Sequence, residues 1–346
     1  MTSPFLAHWR GCRTVLVVLA SLASWCCRRD ERTALLPSAV GQSEPAGSIS
    51  APVVSPSAPV AAVSSVGRPA RHRTFPERVL TFAWRPRGAS PDVYFMSDPL
   101  DQHRIVLTRG VEPNHTYPVV IAFHGQPRRG EAPRNYRFVQ TVSEVTRELV
   151  DQGTIAPVVL VTPVFRYQGQ NWPKFELVEF LDRIREILLR EQVRFQDVYV
   201  VGHSGAAGCG GAGLNRVDSI APKAVGFFDT CVGAGFVRVV KALTRQGVPT
   251  MIVHSVETAG FHPRPRQEYD ADFDFGRVYS SIGLAPSACP AQLPEAPLRP
   301  LEYRCASNDA GTTRALVLDT GRGQKAHDAL VPVALRYFLR SYLEIR

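Results

Sequence analysis

Asp197-Val198-Tyr199-Val200-Val201-Gly202-His203-Ser204-Gly205-Ala206-Ala207-Gly208 is the stretch on which the fold turns. Its first five residues are rich in Val and Tyr, which suits a strand. They run straight into small residues around one His and one Ser. Such a stretch reads as a strand, a tight Gly-rich turn and then a helix, with Ser204 at the strand's carboxyl end.

Working outward, residues 117–123 (YPVVIAF) and 156–163 (APVVLVTP) are apolar without alternation. That is the mark of strands buried on both faces. Residues 223–228, 248–254 and 314–318 read the same way. Helical spacing fills the gaps at 135–152, 175–192, 236–246 and 325–343. In 175–192, Leu177, Phe180, Leu181, Ile184, Ile187 and Leu188 share one side. Three β-like stretches come first, at 78–85, 92–97 and 104–109, with Pro/Gly- or Asp-rich turns that fit hairpins. The expected class is α/β: a mostly parallel central sheet with helices on both faces and antiparallel strands at the N-terminal edge.

A nucleophilic Ser on a strand-to-helix turn needs small neighbours and a free N–H just after it. Gly202, Gly205 and Ala206 are small. Residues 202–206 resemble the G-x-S-x-G elbow of α/β hydrolases, with Ala206 where the last Gly is usual. The resemblance covers about residues 80–346 and implies an α/β-hydrolase fold. It also implies a serine hydrolase that cleaves an ester through an acyl-enzyme. An amidase or peptidase of the same fold, or a catalytically silent binding protein, are the alternatives. A phosphate-loop reading fails because no Lys follows the glycines.

The same resemblance assigns further roles. His124-Gly125 ends the strand 117–123, and the loop after this strand gives the second oxyanion N–H in the family. The amides of Gly205 and of Gly125 or Gln126 would form the oxyanion hole. The His124 side chain itself reads as a strand-end group that holds the loop by hydrogen bonds. His327 opens the last helix, where the family carries its general base. Imidazole changes charge near neutral pH, so it suits the taking and returning of a hydroxyl proton. The acid follows the strand before the insertion in most relatives. Glu257 is the first choice there, with Asp270, Asp272, Asp274 and Asp229 as alternatives. Phe165, Tyr167, Trp172 and Phe261 follow strand ends on the same side and either line a pocket or pack loops.

The 346 residues carry 40 basic and 31 acidic side chains, a formal charge of +9. These charges are scattered, without a basic run or interleaved aromatics, so nucleic acid is not an expected partner. Arg10 and Arg13 precede a short apolar run, 14–23, that is too short to span a bilayer. Residues 1–27 therefore read as an export signal. Cys26 and Cys27 resemble the acylated Cys of bacterial lipoproteins, although Trp25 stands where a small residue is usual. A lipid there would tether the chain to a membrane. Residues 28–74 are a Pro/Ser/Ala-rich flexible tether. Residues 75–346 form the domain, with an insertion at about 258–309. The expected location is the bacterial cell envelope or the medium.

Four of the seven Cys lie beyond the leader: Cys209, Cys231, Cys289 and Cys305. In an exported domain they fit two disulfides, with Cys209–Cys231 and Cys289–Cys305 favoured by proximity. No pair has C-x-x-C spacing, and 270–274 (DADFD) lacks the Gly and distal Glu of a calcium loop. No metal or cofactor is expected. The expected substrate is a small-molecule or polymeric ester, acted on by a monomer.

Overall fold

The computed structural model describes residues 75–94, 96–127, 130–166, 171–207, 212–255, 279–289, 304–318 and 323–345. The leader, the tether and most of the insertion lie outside them, as do Cys26, Cys27 and Cys209. The strands are β1 (Arg78–Phe82), β2 (His103–Leu107), β3 (Thr116–Phe123), β4 (Val159–Thr162) and β5 (Arg194–His203). They continue as β6 (Ala224–Phe228), β7 (Thr250–Ser255), β8 (Ala285–Pro286), β9 (Arg304–Ser307) and β10 (Thr313–Leu318). The helices are α1 (Pro91–Tyr94), α2 (Arg137–Asp151), α3 (Leu177–Arg190), α4 (Ala234–Arg245) and α5 (Gly323–Leu343).

One sheet holds all these strands in the order β1-β2-β4-β3-β5-β6-β7-β10-β9-β8. The six from β4 to β10 are parallel neighbours. β2 is antiparallel to β4, and β1 is antiparallel to β2. The expected α/β class, a mostly parallel sheet with antiparallel strands at the N-terminal edge, is the one observed. The sheet's other edge, β9 and β8, is antiparallel as well.

Burial of both sheet faces explains the continuous apolar runs. Successive residues of a strand point to opposite faces, so one run feeds two cores. Val119, Ile121 and Phe123 of β3 face α3 and α4, through Phe180, Ile184, Phe236 and Val240. Val120 and Ala122 face α2 and α5, through Val142, Leu149, Leu335 and Phe338. A buried side chain of this size is worth about 1.5–3 kcal/mol relative to exposure. The one-residue alternation therefore fixes the strand register firmly.

Two expectations are corrected. Residues 92–97 do not begin a strand: α1 is a short helical turn over Pro91–Tyr94. Proline at the first helical position presets φ and lacks an N–H that would go unused there. Val93 and Tyr94 are still buried, by a turn rather than a strand. The helix expected after the elbow is also absent among the described residues. Two 3-10 segments stand there, Ser204–Ala206 and Gly213–Ser219. Gly-rich sequence disfavours an α-helix, and short 3-10 pieces suit a tight connector.

The insertion is partly legible. β8 and β9 return its far end to the sheet, and Cys289 is disulfide-bonded to Cys305, as proximity suggested. Cys231 is also disulfide-bonded. Its expected partner, Cys209, lies outside the described residues.

Candidate active site

Strand order reverses between β3 and β5: from β3 the chain moves to β4 on one side, then crosses to β5 on the other. In parallel sheets the crevice at such a switch point, beyond the carboxyl ends, is where ligands bind. Gly125 and Ser204 both sit just past those ends. Phe123 of β3 is in register with Gly202 of β5.

Ser204 has φ 55°, in the left-handed region. A non-Gly residue held there stores strain, which clusters at functional sites. The turn forms because its neighbours are small. A Cβ on Gly202 would stand 2.5 Å from Leu214 Cδ1 and 2.8 Å from the Cβ of Ala206. Two β-carbons cannot both fit there, so Gly at 202 lets the motif carry Ala at 206. A Cβ on Gly205 would meet Asn171 Nδ2 at 2.5 Å. The Ser204 side chain is half-buried amid buried neighbours.

Gly125 is pressed against the serine. A Cβ on it would lie 2.5 Å from Ser204 Cβ and 3.0 Å from Ser204 Oγ. His124 fixes the loop. The N–H of Phe165 donates to His124 Nε2 at 3.3 Å, which leaves Nδ1–H to donate to the Gly125 carbonyl at 2.7 Å. The Trp172 indole N–H donates to the His124 carbonyl at 3.1 Å. Burial pushes the His124 imidazole down to about 3, so the ring is neutral. Gln126 follows, exposed.

His327 lies in the first turns of α5. Its Nδ1 is 2.5 Å from Oδ2 of Asp229, which directly follows β6. Asp229 is 1% exposed and has φ 49°. The Ser255 N–H donates to its Oδ1 at 2.7 Å, and the Ser255 hydroxyl donates to Oδ2 at 3.0 Å. Burial pushes this carboxyl up, yet the hydrogen bond from His327, the charges of His327 and His254 and the Ser255 N–H outweigh it. The net shift is down. An ionised carboxylate accepts only, so His327 carries its proton on Nδ1. Nε2 is thereby left as the basic nitrogen.

Two further histidines border this pair. The His203 ring centroid is 4.1 Å from that of His327, with Phe138 stacked at 5.6 Å from His203. His254 Nδ1 is 2.8 Å from the Tyr279 hydroxyl. Burial pushes His203 down to about 3 and His254 to about 4. Both rings are neutral, so neither places a competing positive charge beside His327.

Ser204, Gly205, Gly125 and the His327–Asp229 pair thus stand at the carboxyl ends of the sheet. Among the described residues the partner of His327 is Asp229, the last of the sequence alternatives. Glu257, Asp270, Asp272 and Asp274 lie outside the described residues, as do Tyr167 and Phe261. Phe165 and Trp172 are fully buried and pack the loops. Sequence reasoning missed Ser255 and Asn171. An Asp directly after a buried strand was the available signal for Asp229. Among the described residues no group of three or more His, Cys, Asp or Glu is placed to hold a metal ion.

No protein-family model matches the chain, and no curated protein does. The solved structures similar to it include the following three. The feruloyl esterase module from Clostridium thermocellum complexed with sinapinate is 12% identical with a TM-score of 0.44, over 78% of this chain and 90% of that one. A ferulic acid esterase is 17% identical with a TM-score of 0.37, over 52% and 80%. An α/β serine hydrolase homologue from Coxiella burnetii is 17% identical with a TM-score of 0.29, over 48% and 74%. These structural neighbours are esterases and serine hydrolases.

Proposed function

We propose that this chain is a serine hydrolase that cleaves a carboxylic ester through an acyl-enzyme. Ser204 is the nucleophile, His327 the general base and Asp229 the acid, in place of Glu257. The reading is carried by one observation: a buried, ionised carboxylate holds the Nδ1–H of His327 at the sheet end where Ser204 is held in a strained turn.

In the first half, Ser204 Oγ attacks the ester carbonyl as His327 Nε2 takes the hydroxyl proton. The carbonyl electron pair moves onto oxygen, where the N–H groups of Gly205 and of Gly125 or Gln126 receive it. Such donors are worth about 3–4 kcal/mol of barrier in a comparable site. The tetrahedral species collapses, and the alcohol leaves with the proton from His327. In the second half, water attacks the acyl-enzyme with His327 again as base, and the acid product leaves. Asp229 orients the ring and stabilises its protonated form without taking the proton.

We further infer that the chain is exported as a monomer to the cell envelope or beyond, with a lipid on Cys26 or Cys27 as its tether. The Cys289–Cys305 disulfide supports an oxidising compartment. Mass spectrometry of the mature N-terminus tests the tether; an unmodified start after Ala23 defeats it.

The catalytic test is a fluorophosphonate probe with peptide mapping, beside turnover of p-nitrophenyl butyrate. Labelling at Ser204, and loss of turnover in Ser204→Ala, are expected. An unlabelled protein whose turnover survives Ser204→Ala would sink the proposal.

A further inference from the structure

We infer that Asn171 is a further substrate-contacting residue of this site. Its carboxamide N–H donates a hydrogen bond to the carbonyl oxygen that becomes the oxyanion, beside the Gly205 amide. The inference rests on the serine-hydrolase reading above.

Placement comes first. Asn171 Nδ2 stands 2.5 Å from where a Cβ on Gly205 would be, and its Cγ stands 3.0 Å away. The carboxamide therefore fills the space that a side chain immediately after the nucleophile would take. In doing so it touches the residue whose N–H is the first oxyanion donor. Glycine at 205 is what makes room for it.

Anchoring comes second. Asn171 precedes Trp172, which is fully buried and has φ 50°. The indole N–H of Trp172 donates to the carbonyl of His124, the residue before Gly125. The Trp172 carbonyl accepts from the N–H of Phe175 and of Ala212, both at 3.2 Å. Asn171 is thus tied to the same loop that brings Gly125 against Ser204. A left-handed non-Gly residue at such a place is strain maintained by its surroundings.

The third observation is polar. Asn171 is 8% exposed, and its buried Oδ1 meets no hydrogen-bond partner among the described residues. An unsatisfied buried polar group is destabilising, and a packing role alone would be better served by Leu. A carboxamide kept there despite this fits a polar duty in the reaction. The duty involves no bond-making by Asn171. As Ser204 Oγ adds to the carbonyl, negative charge grows on the oxygen. A donor standing beside the Gly205 amide strengthens its hydrogen bond at that moment.

The test compares wild type, Asn171→Ala and Asn171→Asp with p-nitrophenyl butyrate, a fluorophosphonate probe and an aryl trifluoromethyl ketone. The ketone adds to the serine and presents an oxyanion. For both variants kcat should fall about 10- to 100-fold while KM moves less than about threefold. The inhibition constant for the ketone should rise by the factor that kcat/KM loses, in protein whose circular dichroism is that of wild type. Asn171→Asp keeps the side-chain volume, so it decides the matter if Asn171→Ala fails to fold. Full activity and undiminished ketone affinity in Asn171→Asp, with wild type labelled at Ser204, would overturn the role of Asn171 alone. An unlabelled, inactive wild type would overturn both this inference and the reading beneath it.

Discussion

Gly125 and Ser204 are packed so closely that a β-carbon on the first would stand 2.5 Å from the β-carbon of the second. Real β-carbons do not approach that far, so the loop after β3 and the turn after β5 can meet only through glycine. The proposed oxyanion hole depends on this contact, because it sets the distance from the loop amides to Ser204 Oγ.

Gly125→Ala should therefore move the loop or the serine by a sizeable fraction of an ångström. A misplacement near 1 Å can lower the rate about 100-fold, and overpacking costs about 1–3 kcal/mol. The expected result is a folded protein with kcat/KM for p-nitrophenyl butyrate reduced at least that far. Steady-state kinetics beside a urea melt checks it; wild-type turnover would remove the loop from the chemistry.

Asp229→Asn should leave the ring of His327 without an anionic partner. In a comparable triad that exchange lowers kcat by about 10⁴ through the wrong tautomer. Glu257→Gln should change kcat by less than about threefold if Asp229 is the acid. Measuring both variants side by side discriminates them, and the reverse ranking would restore Glu257. Ser255→Ala, which removes one hydrogen bond to the carboxylate, should fall between.

Acid should weaken this fold well above the carboxylate range. Burial lowers His103 and His254 to about 4, and His124 and His203 to about 3. An unfolded His titrates near 6.5. Between that pH and the folded values the unfolded chain binds more protons, so stability falls as pH falls. Each His contributes a slope of up to about 1.4 kcal/mol per pH unit. Asp229, whose folded value is depressed, adds a further loss as pH falls below the ordinary carboxylate range. Urea unfolding followed by tryptophan fluorescence at pH 8, 6 and 5 should show a steepening decline. A flat profile over that range would contradict the neutral burial of these rings.

The Cys289–Cys305 bridge spans 16 residues at the sheet edge formed by β8 and β9. Closing a loop of that size stabilises by about 3 kcal/mol in the chain-entropy account. Cys289→Ser should accordingly lower the melting temperature while kcat stays within about twofold. Thermal melts and kinetics on the same preparation check it, and a large loss of kcat would place that edge in the site.

Much of this was legible in sequence because burial leaves a plain pattern. The run ending in Phe123 and the run ending in Val201 could be strands of one kind only, buried on two faces. Helical spacing at 177, 180, 181, 184 and 188 named the residues that α3 buries. Ser204, His124-Gly125 and His327 stand out in the sequence because the proposed chemistry demands particular neighbours in the chain. Asp229 stands out less, because a carboxylate needs only to arrive beside an imidazole 98 residues away. Any strand end can deliver one, and local sequence is silent about which strand is adjacent. Asn171 was hidden for the same reason: its relation to Gly205 is purely spatial. Residues 92–97 misled because Val, Tyr and Phe favour strands, while Pro91 favours the start of a helical turn.

If Asp229, directly after β6 and clamped by Ser255, is the acid as proposed, the insertion after β7 carries no proton-transfer duty. Tyr279, Ile282 and Leu284 anchor its far end in the core, so the part that can be exchanged lies between β7 and Tyr279. Grafting a different segment there is a route to new substrate preferences that leaves the reacting groups, and the strain that arms them, where they are.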